Sequence, residues 1–426
     1  MTDAGGQDQA APGLQTGSTA PSDTTGGADA PDTSGTLLGV TAARGFRAAG
    51  VTAGLKASGK PDVALVVNDG PSDAVAAVFT SNRAKAHPVI WSQQAVADGS
   101  ARAVILNSGG ANCFTGSFGF QTTHQTAEAV AAALDVGAGD VVVCSTGLIG
   151  VGDQTFRDGV LRGVDMASAV LSADGGPAAA DAITTTDTHA KQSVVTETDD
   201  TGTWTVGGMA KGAGMLAPGL ATMLVVITTD VALASADLDD ALRAATRVTF
   251  DRVDSDGCMS TNDTVVLMAS GASGATPEVG DFQEALTAVC ADLAKQLQQD
   301  AEGASHDIAI EVVGAVSEDD AVTVGRSVAR NNLFKAAVFG NDPNWGRVLA
   351  AIGTTDAEFD PYDVDVAMNG VRVCHAGAPD QPIDLVDLTP RETHVRIDLR
   401  VGVHSATILT NDLTHDYVHE NSAYSS

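Results

Sequence analysis

Thr222 combines a residue type and a position that suit covalent chemistry. It stands where a run rich in glycine and proline meets a run with the apolar character of a buried strand, in KGAGMLAPGLATMLVVITTD (residues 211–230). A threonine hydroxyl becomes a nucleophile when a base takes its proton. One such base is the residue's own α-amine, which is free only if the chain is cut just before it. That amine has a pKa of roughly 7.7–8, which suits proton transfer near neutral pH.

The residues before Thr222 fit a cut that the chain makes in itself. The uncut hydroxyl could attack the carbonyl of Ala221 and shift the peptide bond to an ester, which water then cleaves. Ala221 is small and leaves that carbonyl accessible. A strained bend is permitted by four nearby residues, which are Gly212, Gly214, Pro218 and Gly219. From spacing alone, an ordinary β-branched strand residue remains the simpler interpretation of Thr222.

Two further stretches offer groups that acyl transfer needs. The strand end CSTGLIG (residues 144–150) breaks into a glycine turn, where the backbone N–H groups of Thr146 and Gly147 could stabilise an oxyanion. Lys211 is one of seven lysines and could bind a substrate carboxylate. Each stretch also has a plainer interpretation, which is a strand-to-helix turn for the first and an exposed lysine for the second.

The composition limits the class of protein. The 426 residues suffice for two or more domains, and 44% hydrophobic with 18% charged residues is typical of soluble globular proteins. The formal net charge of −31 argues against binding to nucleic acid or to anionic membranes, since both need clusters of basic residues. Such an acidic, lysine-poor chain suits a salt-rich cytoplasm, although an ordinary acidic protein explains it equally well.

The sequence predicts no membrane span, secretory signal or metal site. No apolar run is long enough to cross a bilayer, and the N-terminus lacks a basic patch followed by an apolar stretch. The five cysteines are scattered without a CxxC pair, which indicates reduced thiols. His415 and His419 have helical spacing, but no third ligand accompanies them, so we expect no metal there. We therefore expect a cytoplasmic protein.

Alternating strand and helix patterns predict an α/β or α+β fold. Residues 1–36 contain no aromatic residue, lysine or arginine, and we predict that they form a disordered acidic tail. The body divides into a unit over residues 37–303 and a smaller α/β unit over residues 304–426. Strand patterns cover residues 62–67, 101–110, 140–150, 223–230, 264–271, 306–316 and 335–340, with a hairpin over 191–210. Helix patterns cover residues 121–136, 235–248, 281–303, 317–334 and 345–353, and β-rich chain follows to the end.

Many short motifs resemble the ornithine acetyltransferases, which are also called arginine-biosynthesis glutamate N-acetyltransferases. The resemblance covers nearly all of the chain from about Gly39 to Ser426. The motifs are GFRAAGV, VVNDGP, NSGGAN, STGLIG, TTDTH, GGMAKGAGMLAP, LATML, STNDTV, DPNWGRVLAAIG and the ending ENSAYSS. Because so many motifs occur in one order, the resemblance is specific and outweighs the plainer interpretation of each stretch.

This resemblance implies a role for each matching residue. The family cuts itself before a threonine to give an α chain and a β chain. The matching bond here joins Ala221 to Thr222, which would then carry the acetyl group. Thr146 and Gly147 match the oxyanion-hole positions. The matching substrate-binding residues are Thr185, Lys211, Thr222, Glu302, Asn421 and Ser426. Because TTTDTH has three consecutive threonines, Thr186 is the alternative to Thr185.

The resemblance also implies a reaction and an architecture. The reaction is acetyl transfer from N2-acetylornithine to L-glutamate through acetyl-Thr222, without a metal or redox cofactor. Whether acetyl-CoA also serves as a donor is left open. The fold would have two α/β domains, the first with sheets between helix layers (αββα), in a dimer of cleaved αβ units. The alternatives are an amidase or aminopeptidase that uses water as acceptor, and an uncut amino-acid-binding regulator.

Overall fold

The computed structural model describes residues 38–217 and 223–423. Ala221, Thr222 and Ser426 lie outside the described residues, and so does the predicted tail of residues 1–36. The described strands are β1 (Phe46–Val51), β2 (Val63–Asn68), β3 (Ala74–Phe79), β4 (Ala103–Asn107), β5 (Val141–Ser145), β6 (Lys191–Asp199), β7 (Gly202–Lys211), β8 (Leu224–Thr229), β9 (Thr264–Ala269), β10 (Asp307–Ala315), β11 (Asp365–Met368), β12 (Val371–His375), β13 (Ala378–Pro379), β14 (Glu392–Asp398) and β15 (His404–Asn411).

The helices of the described chain lie between and after these strands. They are α1 (His87–Ala95), α2 (Gly116–Leu134), α3 (Gln154–Ala169), α4 (Gly176–Ile183), α5 (Ser235–Val248), α6 (Val279–Gln299), α7 (Glu318–Ala329), α8 (Asn332–Phe339), α9 (Trp345–Ile352) and α10 (His415–Ala423). Among them, none combines the length and apolar character that crossing a bilayer requires. Polar side chains cap the N-termini of some of these helices. Before α7, for example, the Ser317 hydroxyl accepts a hydrogen bond from the Asp320 amide at 3.0 Å.

Two sheets pack face to face between layers of helices. The first sheet has the strand order β1-β2-β4-β5, and the second has the order β3-β9-β8-β7-β6. Apolar side chains from both sheets, including Val66, Leu106, Val226 and Val266, form one core between them. Helices α2 and α3 cover the outer face of the first sheet, and α5 and α6 cover that of the second. The predicted αββα layering is confirmed.

Strand β8 begins two residues after Thr222 and lies inside the second sheet. It pairs antiparallel with β7, where Leu224 faces Lys211, and parallel with β9, where Leu224 faces Thr264. Every residue of β8 is buried. Burial of a Val, Leu or Ile side chain contributes about 1.5–3 kcal/mol. The chain from Leu224 onward is therefore firmly anchored beside the end of β7.

A third sheet consists of strands that follow residue 306. Its order is β13-β12-β11-β14-β10-β15, and β10 runs parallel to β14. Helices α7, α8 and α9 pack against it, so that Phe334 and Ile352 share a core with Ile310 and Ile397. This sheet follows the boundary expected near residue 303, and the division into two domains stays a prediction.

Two local expectations are wrong. Residues 335–340 were expected to form a strand, but helix α8 covers all of them except the last. Asn331 starts this helix by accepting a hydrogen bond from the Phe334 amide at 3.0 Å. A short apolar run such as KAAVFG has no periodicity that separates a strand from a buried helix. The described chain also ends in helix α10 rather than in β structure.

Candidate active site

One cavity collects the predicted site residues from distant parts of the chain. Its volume is about 130 Å³. It is lined by Thr146, Gly147, Thr185, Thr186, Lys211, Gly214, Met215, Glu302 and Asn421. Every predicted site residue that the structure describes therefore lies at this cavity. The remaining ones, Ala221, Thr222 and Ser426, lie outside the described residues.

The oxyanion donors differ in one respect from the expectation. Thr146 follows β5, and its amide donates to the Asn107 carbonyl at 2.9 Å, so this N–H is not free to bind a substrate. The amide of Gly147 has no acceptor within residues 38–217 and 223–423. The φ of Gly147 is +126°, and a Cβ there would lie 2.5 Å from the Gly110 nitrogen, so only glycine fits. The free donor of Thr146 is its hydroxyl.

Lys211 reaches this hydroxyl from the end of β7. Its Nζ donates to Thr146 Oγ1 at 3.2 Å, which leaves the hydroxyl proton of Thr146 free to point elsewhere. The interpretation of Lys211 as an exposed lysine is wrong, since its side chain is 1% exposed. Burial lowers the pKa of Lys211, while the carboxylates of Asp187, Asp263 and Glu302 partly offset this effect. A buried ammonium with unused donors can bind a carboxylate.

Asp187 and Lys191 were not assigned a role from the sequence, although Asp187 lies within the TTDTH motif. Lys191 Nζ donates to Asp187 Oδ1 at 2.7 Å and to Asp300 Oδ2 at 2.5 Å. The Gly212 amide also donates to Asp187 Oδ1, at 2.6 Å. Burial would raise the pKa of Asp187, but the ammonium groups of Lys211 and Lys191 hold it well below its usual range. Through the Gly212 amide, this buried network holds the start of the chain after β7 in position beside the cavity.

Glu302 presents its carboxylate to the cavity just after α6. Its amide donates to the Ala213 carbonyl at 3.0 Å, which ties it to the chain after β7. The Thr186 hydroxyl donates to Oε1 at 2.7 Å, and Asn421 Nδ2 donates to Oε2 at 3.0 Å. A Cβ on Gly214 would lie 2.6 Å from Oε2, so the glycine makes room for the carboxylate. A carboxylate that is oriented by two hydrogen bonds in this way can bind the amino group of a substrate.

The two candidate threonines have different partners. Thr185 donates through its amide to Asp187 Oδ2 at 2.9 Å, and its hydroxyl lies 3.4 Å from the same oxygen. Thr186 already donates its hydroxyl proton to Glu302. Both line the cavity. The Thr185 hydroxyl therefore has the weaker internal bond, and the choice of Thr185 for substrate binding stays a prediction.

Comparison with known proteins identifies the family of this chain. Residues 47–426 match the model of the ArgJ family. The arginine biosynthesis bifunctional protein ArgJ of Streptomyces coelicolor is 64% identical over 389 residues, which cover 91% of this chain and 100% of that protein. The protein of that name from Mycobacterium leprae is 55% identical over 398 residues, 91% of this chain and 96% of that protein. A solved ornithine acetyltransferase complexed with ornithine, from Mycobacterium tuberculosis, is 54% identical, with a TM-score of 0.40 over 44% of this chain and 96% of that chain. The expected resemblance is confirmed, and this chain belongs to the ArgJ family.

Proposed function

We propose that this chain is an acetyltransferase of arginine biosynthesis. It moves an acetyl group from N2-acetylornithine to L-glutamate through acetyl-Thr222, after cutting itself between Ala221 and Thr222. The observation that carries the proposal is the cavity in which Lys211, Glu302 and the Thr146–Gly147 turn meet, next to the strand that follows Thr222. One amino-acid-sized site thus has a cation, an anion and oxyanion donors.

In the first half-reaction, the hydroxyl of Thr222 attacks the acetyl carbonyl of N2-acetylornithine. The Gly147 amide and the Thr146 hydroxyl are suited to stabilise the negative charge that develops on the carbonyl oxygen. The α-amine of Thr222 takes the hydroxyl proton and passes it to the nitrogen of the leaving ornithine. Lys211 is suited to the substrate carboxylate and Glu302 to an ammonium group.

In the second half-reaction, the amine of glutamate attacks the ester on Thr222 and leaves as N-acetylglutamate. The same donors serve this step, because the same kind of tetrahedral oxyanion forms. We propose that no metal or redox cofactor takes part and that acetyl-CoA is a candidate second donor. We also propose a cytoplasmic enzyme that assembles as a dimer of αβ units, a heterotetramer. An amidase of this architecture would instead use water as the acyl acceptor and release free acetate.

The test measures acetyl transfer from N2-acetylornithine to glutamate. Acetyl-CoA is assayed as an alternative donor, and water is assayed as an alternative acceptor. We expect ping-pong kinetics and one added acetyl group on the fragment that begins at Thr222, seen by mass spectrometry after mixing with acetylornithine alone. Ternary-complex kinetics without an acetylated fragment would refute a covalent carrier. Release of free acetate without acetylglutamate would support the amidase.

Replacement of Asn421 should weaken substrate binding without slowing the chemistry. Asn421→Ala removes one hydrogen bond that orients the Glu302 carboxylate, which is worth about 0.5–1.5 kcal/mol, or roughly a 2- to 13-fold increase in KM. We expect kcat to change little, because the bond exists before the transition state. Ser422→Ala is a matched control on the same helix, since its hydroxyl contacts only the His419 carbonyl among the described residues. An unchanged KM in Asn421→Ala would remove Asn421 from the site.

A further inference from the structure

Self-cleavage needs a proton acceptor other than the one that serves the transfer reaction. In the transfer reaction, the free α-amine of Thr222 acts as the base. Before the cut this nitrogen belongs to a peptide bond and cannot accept the hydroxyl proton. Another group close to the junction must therefore take that proton first. The question rests on the proposed self-cleavage.

Asp263 is a buried carboxyl group to which the proposed transfer reaction assigns no role. It stands in the STNDTV motif immediately before β9 and is 0% exposed. Its Oδ1 accepts a hydrogen bond from the Met223 amide at 3.2 Å. Its Oδ2 is buried and accepts no hydrogen bond from the described residues. A buried oxygen without a partner is costly, which points to a functional reason for keeping it.

Asp263 is linked to the junction through the first described residue after it, Met223. The Met223 nitrogen that Asp263 binds belongs to the peptide bond that joins Met223 to Thr222. Consecutive Cα atoms are about 3.8 Å apart, and the bond to be cut lies on the other side of the same threonine. Asp263 therefore binds the amide that directly follows Thr222, one residue along the chain from the Ala221–Thr222 bond.

The two ionisable residues that line the cavity already have hydrogen-bond partners. Lys211 donates to the Thr146 hydroxyl. Both carboxylate oxygens of Glu302 accept hydrogen bonds, one from Thr186 and the other from Asn421. Of these three groups, Asp263 is the carboxylate with an oxygen that no described residue binds.

The surroundings of Asp263 make it a stronger base than an ordinary aspartate. Burial raises the pKa of Asp263 well above its usual range. The hydrogen bond from the Met223 amide and the ammonium of Lys211 offset part of that effect. Lys211, at the end of β7, is the charged group among these, and its attraction favours the ionised form of Asp263. A base is most effective when its pKa lies near the working pH.

We propose that Asp263 carries the proton during the cut between Ala221 and Thr222. Its carboxylate takes the hydroxyl proton of Thr222 as Oγ1 forms a bond to the carbonyl carbon of Ala221. The carbon–nitrogen bond then breaks, and Asp263 gives the proton to the leaving nitrogen, which becomes the free α-amine. Water hydrolyses the resulting ester to the Ala221 carboxylate and the Thr222 hydroxyl.

The first test compares the self-cleavage rate of Asp263→Asn with that of the unaltered chain. Freshly synthesised full-length protein is sampled over time on a denaturing gel at several pH values. We expect the cut to slow by about 10²- to 10⁴-fold, the usual contribution of a general acid–base group. The wild-type rate should rise with pH as Asp263 ionises, and the residual rate of the variant should lose this dependence.

Asp254→Asn is the matched control. Asp254 is also 0% exposed, has one oxygen without a partner, and has a pKa raised by burial. Its other oxygen pairs with Arg330 at 2.7 Å instead of with the residue after the junction. We expect this variant to cut at the wild-type rate.

Thermal stability separates a proton carrier from a structural residue. An acid whose pKa is raised in the folded state holds a proton that the unfolded chain releases, so its effect on stability becomes more unfavourable as the pH rises above about 4. In an uncut Thr222→Ala background, adding Asp263→Asn should therefore raise Tm, and by more at pH 8 than at pH 5. A structural Asp263 would give a lower Tm instead.

The outcomes separate this inference from the proposed function. If the unaltered chain is active but never cut, the proposed function fails. If it is cut and Asp263→Asn is cut at the same rate with the same pH profile, only the role of Asp263 fails. Slow cutting together with a lower Tm would also overturn it, whereas slow cutting with a higher Tm supports it.

Discussion

Thr222→Ala should remain one full-length chain and should transfer no acetyl group. Without the hydroxyl there is no internal nucleophile for the cut, and without the cut there is no α-amine to act as base. We expect kcat/KM to fall on the order of 10⁶-fold, as when a covalent enzyme loses its nucleophile. Denaturing gels, N-terminal sequencing and the acetylornithine-to-glutamate assay measure the two effects together. In the unaltered protein, the sequence of the second fragment should begin Thr-Met-Leu.

Thr228→Val is the matched control for this prediction. Thr228 lies in β8, is fully buried, and donates its hydroxyl proton to the Val40 carbonyl at 2.9 Å. Its replacement tests whether any lost hydroxyl in this strand disturbs the enzyme. We expect a modest loss of stability with normal cutting and activity. An active or cut Thr222→Ala protein would contradict the assignment of the nucleophile.

Thr146→Val should lower kcat by about 10²- to 10³-fold, the usual cost of losing one oxyanion donor. The amide of Thr146 is engaged with Asn107, so its hydroxyl is the group that can stabilise the transition state. Valine has nearly the same shape and keeps the amide, so the change removes only the hydroxyl. The rate should be measured per molecule of cut enzyme, because the same donors could also serve the cut.

Thr146→Ser is the matched control, since serine keeps the hydroxyl and the bond from Lys211. We expect it to retain most of the wild-type kcat. If Thr146→Val is as active as the unaltered enzyme, the hydroxyl is not an oxyanion donor and Gly147 would act with another group. A rise in KM without a fall in kcat would indicate that Thr146 acts only by holding Lys211.

Residue type and position suggested Thr222, the Thr146–Gly147 turn and Lys211, but Glu302 and Asn421 could be named only through the family resemblance. Thr146, Lys211, Glu302 and Asn421 lie far apart in the chain, and they meet only because β5, β7, α6 and α10 come together in the fold. No spacing rule encodes such long-range proximity. The same limit explains why the pairing of Lys191 with two carboxylates was missed. The engagement of the Thr146 amide was missed too, because it depends on the register between neighbouring strands.

The elements predicted from the sequence agreed best with the structure where the local pattern was strong. Strand β8 and helix α6 have long apolar runs or regular helical spacing, and both were expected. Strand β1 was not, because its alanines and glycine carry little strand signal. A Cβ on Gly50 would lie 1.8 Å from the Ala178 carbonyl oxygen, so this glycine serves the close packing of β1 against α4. The neighbouring helix sets this requirement, so it cannot be predicted from the residues of the strand alone.

The order of the second sheet has a consequence for the two proposed fragments. Strands β8 and β9 follow the junction, and they lie between β7 and β3, which precede it. Each fragment thus supplies strands that flank strands of the other, and dissociation would require the sheet to come apart. Before the cut, refolding is unimolecular and independent of concentration. Afterwards it becomes a bimolecular association that dilution slows. The cut therefore converts a chain that can refold alone into an interleaved pair whose persistence depends on slow unfolding.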